Sequence, residues 1–267
     1  MLRFQRSFFN VHIVQRSMLA SLRFRPIFYA YNRHAQTVVC FVLSIIECIF
    51  KTYRYERETI VGFDGRDQYI DWAVPYSDVI SKSLRRVDRH MSAISPVIVL
   101  VHGLGDDRYV PYIQRICREC HRRGWRAAVW SYWRCDFSES RDLKAVIQNI
   151  QRNNPKAPMA AIGYSAGGHL LMRYVSSYGD AVPLSCAITV SGCFDFVKAI
   201  ECVTNNENPS YKIFLDVQER RVIRRHVEHA GHTPDINEKI EQAMRTKDGI
   251  ELYVLCVCVC VWISRSH

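Results

Sequence analysis

From about residue 54 the apolar and polar positions fall into alternating short and long periods. TIVGF and QYIDWAV lie either side of Asp64-Gly65, a pair that favours a tight turn, and read as two strands of a hairpin. VIVLV at 97–101 is an unbroken β-branched run, the pattern of a strand buried on both faces. A helix is predicted near 109–123, ending at Gly124, and then a strand, RAAVWS, at 126–131. Leu143, Val146, Ile147 and Ile150 form an i, i+3, i+4, i+7 stripe, the signature of a helix with one buried face. PMAAIG (158–163) reads as a strand, GHLLMRYVSSY (168–178) as a helix and LSCAITVS (184–191) as another strand. Strands alternating with helices predict an α/β fold with a mostly parallel, doubly wound sheet flanked by helices. Residues 197–250 read as helical and highly charged, with a loop at Asn205–Pro209.

Composition adds little: 267 residues, 48% hydrophobic and 23% charged, suit a globular chain long enough to bury a core. Charge adds more. The net +10 is concentrated at the N-terminus, where Arg3, Arg6, Arg16, Arg23, Arg25 and Arg33 precede the first acid, Glu47. That distribution argues against a uniformly basic nucleic-acid binder, and no nucleic-acid partner is expected. Over the first 25 residues the arginines mix with Phe, Leu, Ile and Val. Such a start suits a mitochondrial transit peptide, a helix on an anionic membrane surface, or a poorly ordered basic arm. Residues 35–50, AQTVVCFVLSIIECIF, are shorter than the roughly 20 a spanning helix needs and contain Glu47. They read as a buried or interfacial helix, with a signal anchor as the alternative.

The 11 cysteines form no regular framework, and their odd number favours reduced thiols in an intracellular setting. Cys117-Arg-Glu-Cys120-His121 matches a c-type haem attachment pattern, but within IQRICRECHRRG it reads better as helix surface and core. Neither this pair nor any other has the spacing of a zinc site, so no metal and no cofactor are expected.

The chemistry is concentrated in Gly163-Tyr164-Ser165-Ala166-Gly167-Gly168, between a predicted strand and a predicted helix. In that context G-x-S-x-G is a nucleophile elbow. The sharp turn needs Gly163 and Gly167 to avoid collisions, and it lifts the Ser165 hydroxyl to a helix N-terminus that favours developing negative charge. The Ala166 N–H is then one oxyanion donor. Directly after the 97–101 strand comes His102-Gly103-Leu104-Gly105-Asp106, the loop that supplies the second donor in such sites. Leu104 N–H is the candidate, and His102 reads as a structural loop residue rather than the base.

HGLG followed by GYSAGG, with Asn32-Arg33-His34-Ala35-Gln36-Thr37 upstream, resembles the type-4 abhydrolase-domain family of α/β hydrolases. That group includes YheT-like bacterial esterases and abhydrolase-domain proteins one, two and three. The resemblance covers about residues 26–250. It implies an α/β-hydrolase fold, hydrolysis of carboxylic esters such as acylglycerols or phospholipids, and an N-terminal membrane association. By the same resemblance residues 26–50 are a family helix or anchor, and the expected location is an intracellular membrane, endoplasmic reticulum or another endomembrane, with the mitochondrion as alternative. Ala166 stands where the family has a bulkier residue, and Arg134-Cys135 where Arg-Gly is common.

A serine nucleophile also needs a histidine base and an acid to orient it. The resemblance places the family's acid near residue 260 of this register and its histidine further on. The chain's last stretch is instead LCVCVCVWISRSH, and alternating Cys-Val is what a translated TG repeat encodes. The expectation is a basic segment at 1–50, an incomplete hydrolase core at 51–253 lacking its C-terminal strand and helix, and an aberrant tail at 254–267. The alternative is that LYVLCVCVCVW is an apolar strand completing the sheet. Within the chain itself Asp195, after the 184–191 strand, is a candidate acid, and His229 a candidate base beside His226, His232 and His267. Histidines in so charged a stretch read more readily as solvated. Three functions follow: a serine esterase of lipid-like substrates, a non-catalytic membrane-associated binding protein with this fold, and, more weakly, a serine peptidase.

Overall fold

A computed structural model of the chain describes residues 53–75, 94–132 and 139–195 continuously, with residues 32, 35–36, 39, 198–199, 201–202, 213, 216–222 and 241 in addition. The chain divides into two compact units, 1–49 and 50–267. Of the first, the described residues show a helical turn in which the Gln36 N–H donates to the Asn32 carbonyl at 2.9 Å. The rest of the predicted 35–50 helix and the 254–267 segment lie outside the described residues.

Among the described residues the second unit is a six-stranded, mostly parallel sheet with helices on both faces. Its elements run β1 (Tyr53–Val61), β2 (Asp67–Pro75), β3 (Val97–Val101), α1 (Pro111–Arg122), β4 (Arg126–Trp130), α2 (Arg141–Asn153), β5 (Met159–Tyr164), α3 (Ala166–Tyr178) and β6 (Cys186–Val190). The strand order is β1-β2-β4-β3-β5-β6. β1, β2 and β4 pair antiparallel in turn, and β4, β3, β5 and β6 are parallel. The hairpin is longer than TIVGF suggested. Tyr53 and Tyr55 extend β1 backwards because both pack on the α1 side of the sheet.

The doubly wound arrangement is written into β3. Val97, Val99 and Val101 pack on one face with Leu143, Val146, Ile147 and Ile150 of α2 and Leu170 and Leu171 of α3. Ile98 and Leu100 pack on the other face with Ile113, Cys117 and Cys120 of α1. Both sides of one strand are thus covered, and each side chain so buried contributes about 1.5–3 kcal/mol. The Cys117–Cys120 pair therefore faces the core, and burial pushes the Cys117 thiol up to about 12.

β6 differs. All five of its residues are exposed, Ile188 and Val190 among them, and it is the outermost strand among the described residues. Within the charged C-terminal stretch, helical residues 216–222 bury Gln218, Glu219 and Val222 rather than lying wholly in solvent.

Candidate active site

Tyr164 is the last residue of β5 and Ala166 the first of α3, so Ser165 alone makes the turn. It does so at φ +51° and ψ −118°, a region costing a non-glycine residue about 1–3 kcal/mol. Both neighbouring elements hold it there. The Ser165 N–H donates to the Val190 carbonyl of β6 at 2.9 Å, and its carbonyl accepts the His169 N–H of α3 at 3.0 Å.

The flanking glycines allow the approach. A Cβ on Gly163 would stand 2.5 Å from the Gly167 carbonyl oxygen, and one on Gly167 2.5 Å from the carbonyl oxygen of Val101. α3 therefore starts directly against the backbone at the end of β3. Ser165 remains exposed while Ala166 and Gly167 are buried. As the first residue of α3, Ala166 has an N–H with no intrahelical acceptor, at the positive end of the helix dipole.

The 102–106 loop lies beside this turn: a Cβ on Gly103 would be 3.6 Å from the Ser165 Cβ. Several contacts shape the loop. The Gly103 N–H donates to the Tyr112 hydroxyl at 2.9 Å, and that hydroxyl donates to an Asp106 carboxylate oxygen at 2.5 Å. The Gly103 carbonyl accepts the Asp106 N–H at 3.3 Å and lies 2.8 Å from His102 Nδ1, which must carry the proton there because a carbonyl can only accept. His102 is buried, with its ring stacked on Tyr132 at 4.3 Å, and its carbonyl accepts the Tyr132 hydroxyl at 2.9 Å. Leu104 packs partly buried against the α2–α3 side of the core. On the far side, a Cβ on Gly105 would meet the Gln218 carbonyl at 2.7 Å, so the 216–222 helix closes against the loop.

The residues that follow are held by a buried ion pair. Asp71 of β2 takes two hydrogen bonds from Arg57, at 2.8 and 2.9 Å, one from Arg108 at 3.0 Å and one from the Ser131 hydroxyl at 2.5 Å. Burial pushes its carboxyl up, but the hydrogen bonds from Arg57 and Ser131 and the charges of Arg108 and Arg57 outweigh it and hold it below its ordinary value.

Ser165, Ala166, Gly163, Gly167 and the Leu104 loop are thus brought together at one end of the parallel strands. Asp195 is exposed and already engaged: one carboxylate oxygen accepts the Lys198 N–H at 3.0 Å and the other pairs with Lys198 Nζ at 3.6 Å. His229, His226, His232 and His267 lie outside the described residues. Tyr112 and Glu219 carried no signal in the sequence, since neither sits in a motif. Among the described residues no group of His, Cys, Asp and Glu is placed to hold a metal ion, and no helix is long and apolar enough to cross a membrane.

No protein-family model matches the chain. Individual proteins do. It is 29% identical over 110 residues to YheT of Escherichia coli, covering 37% of this chain and 32% of that one. It is 28% identical over 151 residues to phospholipase ABHD3 of Mus musculus, covering 52% and 34%. It is 21% identical over 164 residues to the monoacylglycerol lipase of Saccharomyces cerevisiae, covering 56% and 36%. The chain spans about a third of the length of each of these relatives. Sheet order and the strand–serine–helix turn define the α/β-hydrolase fold. Within that class, the likeness to YheT and ABHD3 fits the abhydrolase-domain family.

Proposed function

We propose that this chain carries the nucleophile and oxyanion-binding part of a serine carboxylic ester hydrolase for lipid-like esters, of the acylglycerol lipase or phospholipase type. The observation that carries the reading is Ser165 itself, exposed at φ +51° at a helix N-terminus with the Gly103 backbone beside it. Ser165 Oγ attacks the ester carbonyl as its proton passes to the histidine base, and the Ala166 and Leu104 N–H groups receive the oxygen as it becomes negative. The ester C–O bond breaks with the alcohol taking that proton, and water then releases the acid from the acyl-serine. Similarity to proteins named phospholipase and monoacylglycerol lipase supports the lipid-like substrate. The acid-free, arginine-rich first 46 residues support association with an anionic intracellular membrane surface. Asp195 and His229 are the acid and base this chain offers to complete the site.

A second reading is a non-catalytic, membrane-associated binding protein of the same fold. The exposed Asp195–Lys198 pairing favours it, because the acid of a working site is ordinarily committed to its histidine rather than to a surface lysine. A fluorophosphonate probe separates the two. Labelling of the wild-type chain that disappears in Ser165→Ala supports the hydrolase, and a folded wild-type chain that takes no label supports the binding protein.

A further inference from the structure

The Gly103–Leu104 peptide group is fixed from several directions, and one of the groups fixing it comes from outside the loop. A trans peptide points its C=O and its N–H in opposite directions. Whatever holds the Gly103 carbonyl therefore also aims the Leu104 N–H. That carbonyl is held by the Asp106 N–H and by His102 Nδ1. Asp106 is in turn tied by its side chain to the Tyr112 hydroxyl, which also takes the Gly103 N–H. The result is a closed ring of hydrogen bonds: Gly103 N–H to Tyr112 Oη, Tyr112 O–H to the Asp106 carboxylate, and Asp106 N–H back to the Gly103 carbonyl.

We propose that Tyr112 is a positioning residue for the oxyanion site, removing the Gly103 amide from competition and aiming the Leu104 amide at the space above Ser165. The proposal rests on the reading of Ser165 as the nucleophile.

Two further features fit it. The Tyr112 ring packs on Tyr164, the residue before Ser165, with centroids 4.5 Å apart, so one side chain touches both the loop and the strand end that presents the serine. The hydroxyl is also chemically committed. Burial, then the neighbouring Asp106 charge and its hydrogen bond, push Tyr112 far above the ordinary tyrosine value, so it keeps the proton it donates. A tyrosine has one proton to give, and Asp106 takes it. The oxygen's remaining capacity is as an acceptor, which suits the Gly103 N–H. Tyr112 touches no reacting atom and acts only through the loop.

The test uses the full chain and the rate at which a fluorophosphonate modifies Ser165, resolved into probe affinity and maximal rate. Tyr112→Phe keeps the ring and deletes the hydroxyl. The expected result is a maximal rate about 10- to 100-fold lower, with affinity unchanged and melting temperature lowered by a few degrees at most. Asp106→Asn still offers an oxygen to Tyr112 and is expected to stay within about threefold of wild type, while Asp106→Ala falls as far as Tyr112→Phe. A role confined to stability would lower the melting temperature and leave the maximal rate of the folded fraction intact. That result, or equal rates for the two Asp106 variants, overturns the inference, and the Asp106 pair decides it if Tyr112→Phe does not fold. A wild-type chain that takes no label overturns instead the reading of Ser165, and the inference with it.

Discussion

The Ser165 N–H donates to the Val190 carbonyl oxygen at 2.9 Å, so the β5–β6 ladder continues through the residue that breaks the strand. The strained turn is therefore clamped from the side by a neighbouring strand as well as from ahead by α3. Strain of this kind persists only where its surroundings over-determine it.

Gly167→Ala tests how closely that turn is packed. The added Cβ would fall 2.5 Å from the Val101 carbonyl oxygen, which is backbone and cannot swing aside. The expected cost is about 1–3 kcal/mol in urea denaturation, together with slower modification of Ser165, because α3 must back away from β3.

Asp71→Asn removes the charge that Arg57 and Arg108 share. Its expected cost is toward the lower end of about 3–5 kcal/mol, since Arg57 reaches solvent and keeps part of its hydration. The sign with pH is definite. Asp71 is held below its ordinary 3.8, so its contribution is present above that value and is lost as pH falls through its value in the folded chain. Denaturation midpoints at neutral pH and near pH 3 should differ less in Asp71→Asn than in wild type.

Glu219 has the opposite sign. Its side chain is fully buried, neither carboxylate oxygen has a hydrogen-bond partner among the described residues, and burial followed by the Asp216 charge pushes it up to about 8 against the pull of Arg220. The folded chain thus holds a proton that the unfolded chain releases near 4.5. Stability is expected to fall as pH rises between those values, by up to about 1.4 kcal/mol per pH unit, and to level off beyond the upper one. Glu219→Gln should flatten this limb. Urea midpoints for both proteins at pH 5, 7 and 9 check it.

If the arginine-rich start lies on a membrane, the chain should sediment with anionic vesicles and not with neutral ones. Binding should weaken at 0.5 M salt, and each of Arg3, Arg6 and Arg16 replaced by Ala should remove about 1 kcal/mol.

Much of the sheet was legible because its signals are periodic. VIVLV names a strand covered on both sides, and the 143–150 stripe names the helix covering one of them. GYSAGG was legible because its glycines answer to backbone contacts within a single turn. Tyr112 was not. Its partners sit six and nine residues back, and no hydrophobic pattern encodes a hydroxyl shared between an amide and a carboxylate. Glu219 was hidden for another reason. A charged stretch reads as solvated, yet at 216–222 Gln218 and Val222 draw the segment against the 102–106 loop and the core, and the glutamate between them goes inside.

The bond from Ser165 to Val190 ties the serine to β6, the outermost strand of the sheet among the described residues. A strand with a neighbour on one side only opens locally at a free energy below that of global unfolding, and among the described residues β6 pairs with β5 alone. When β6 frays, Ser165 loses its lateral clamp while the core of the sheet stays folded. The lifetime of the serine's geometry therefore depends on the protection of one five-residue strand as well as on α3, and amide exchange at Ser165 would report the β6 clamp directly.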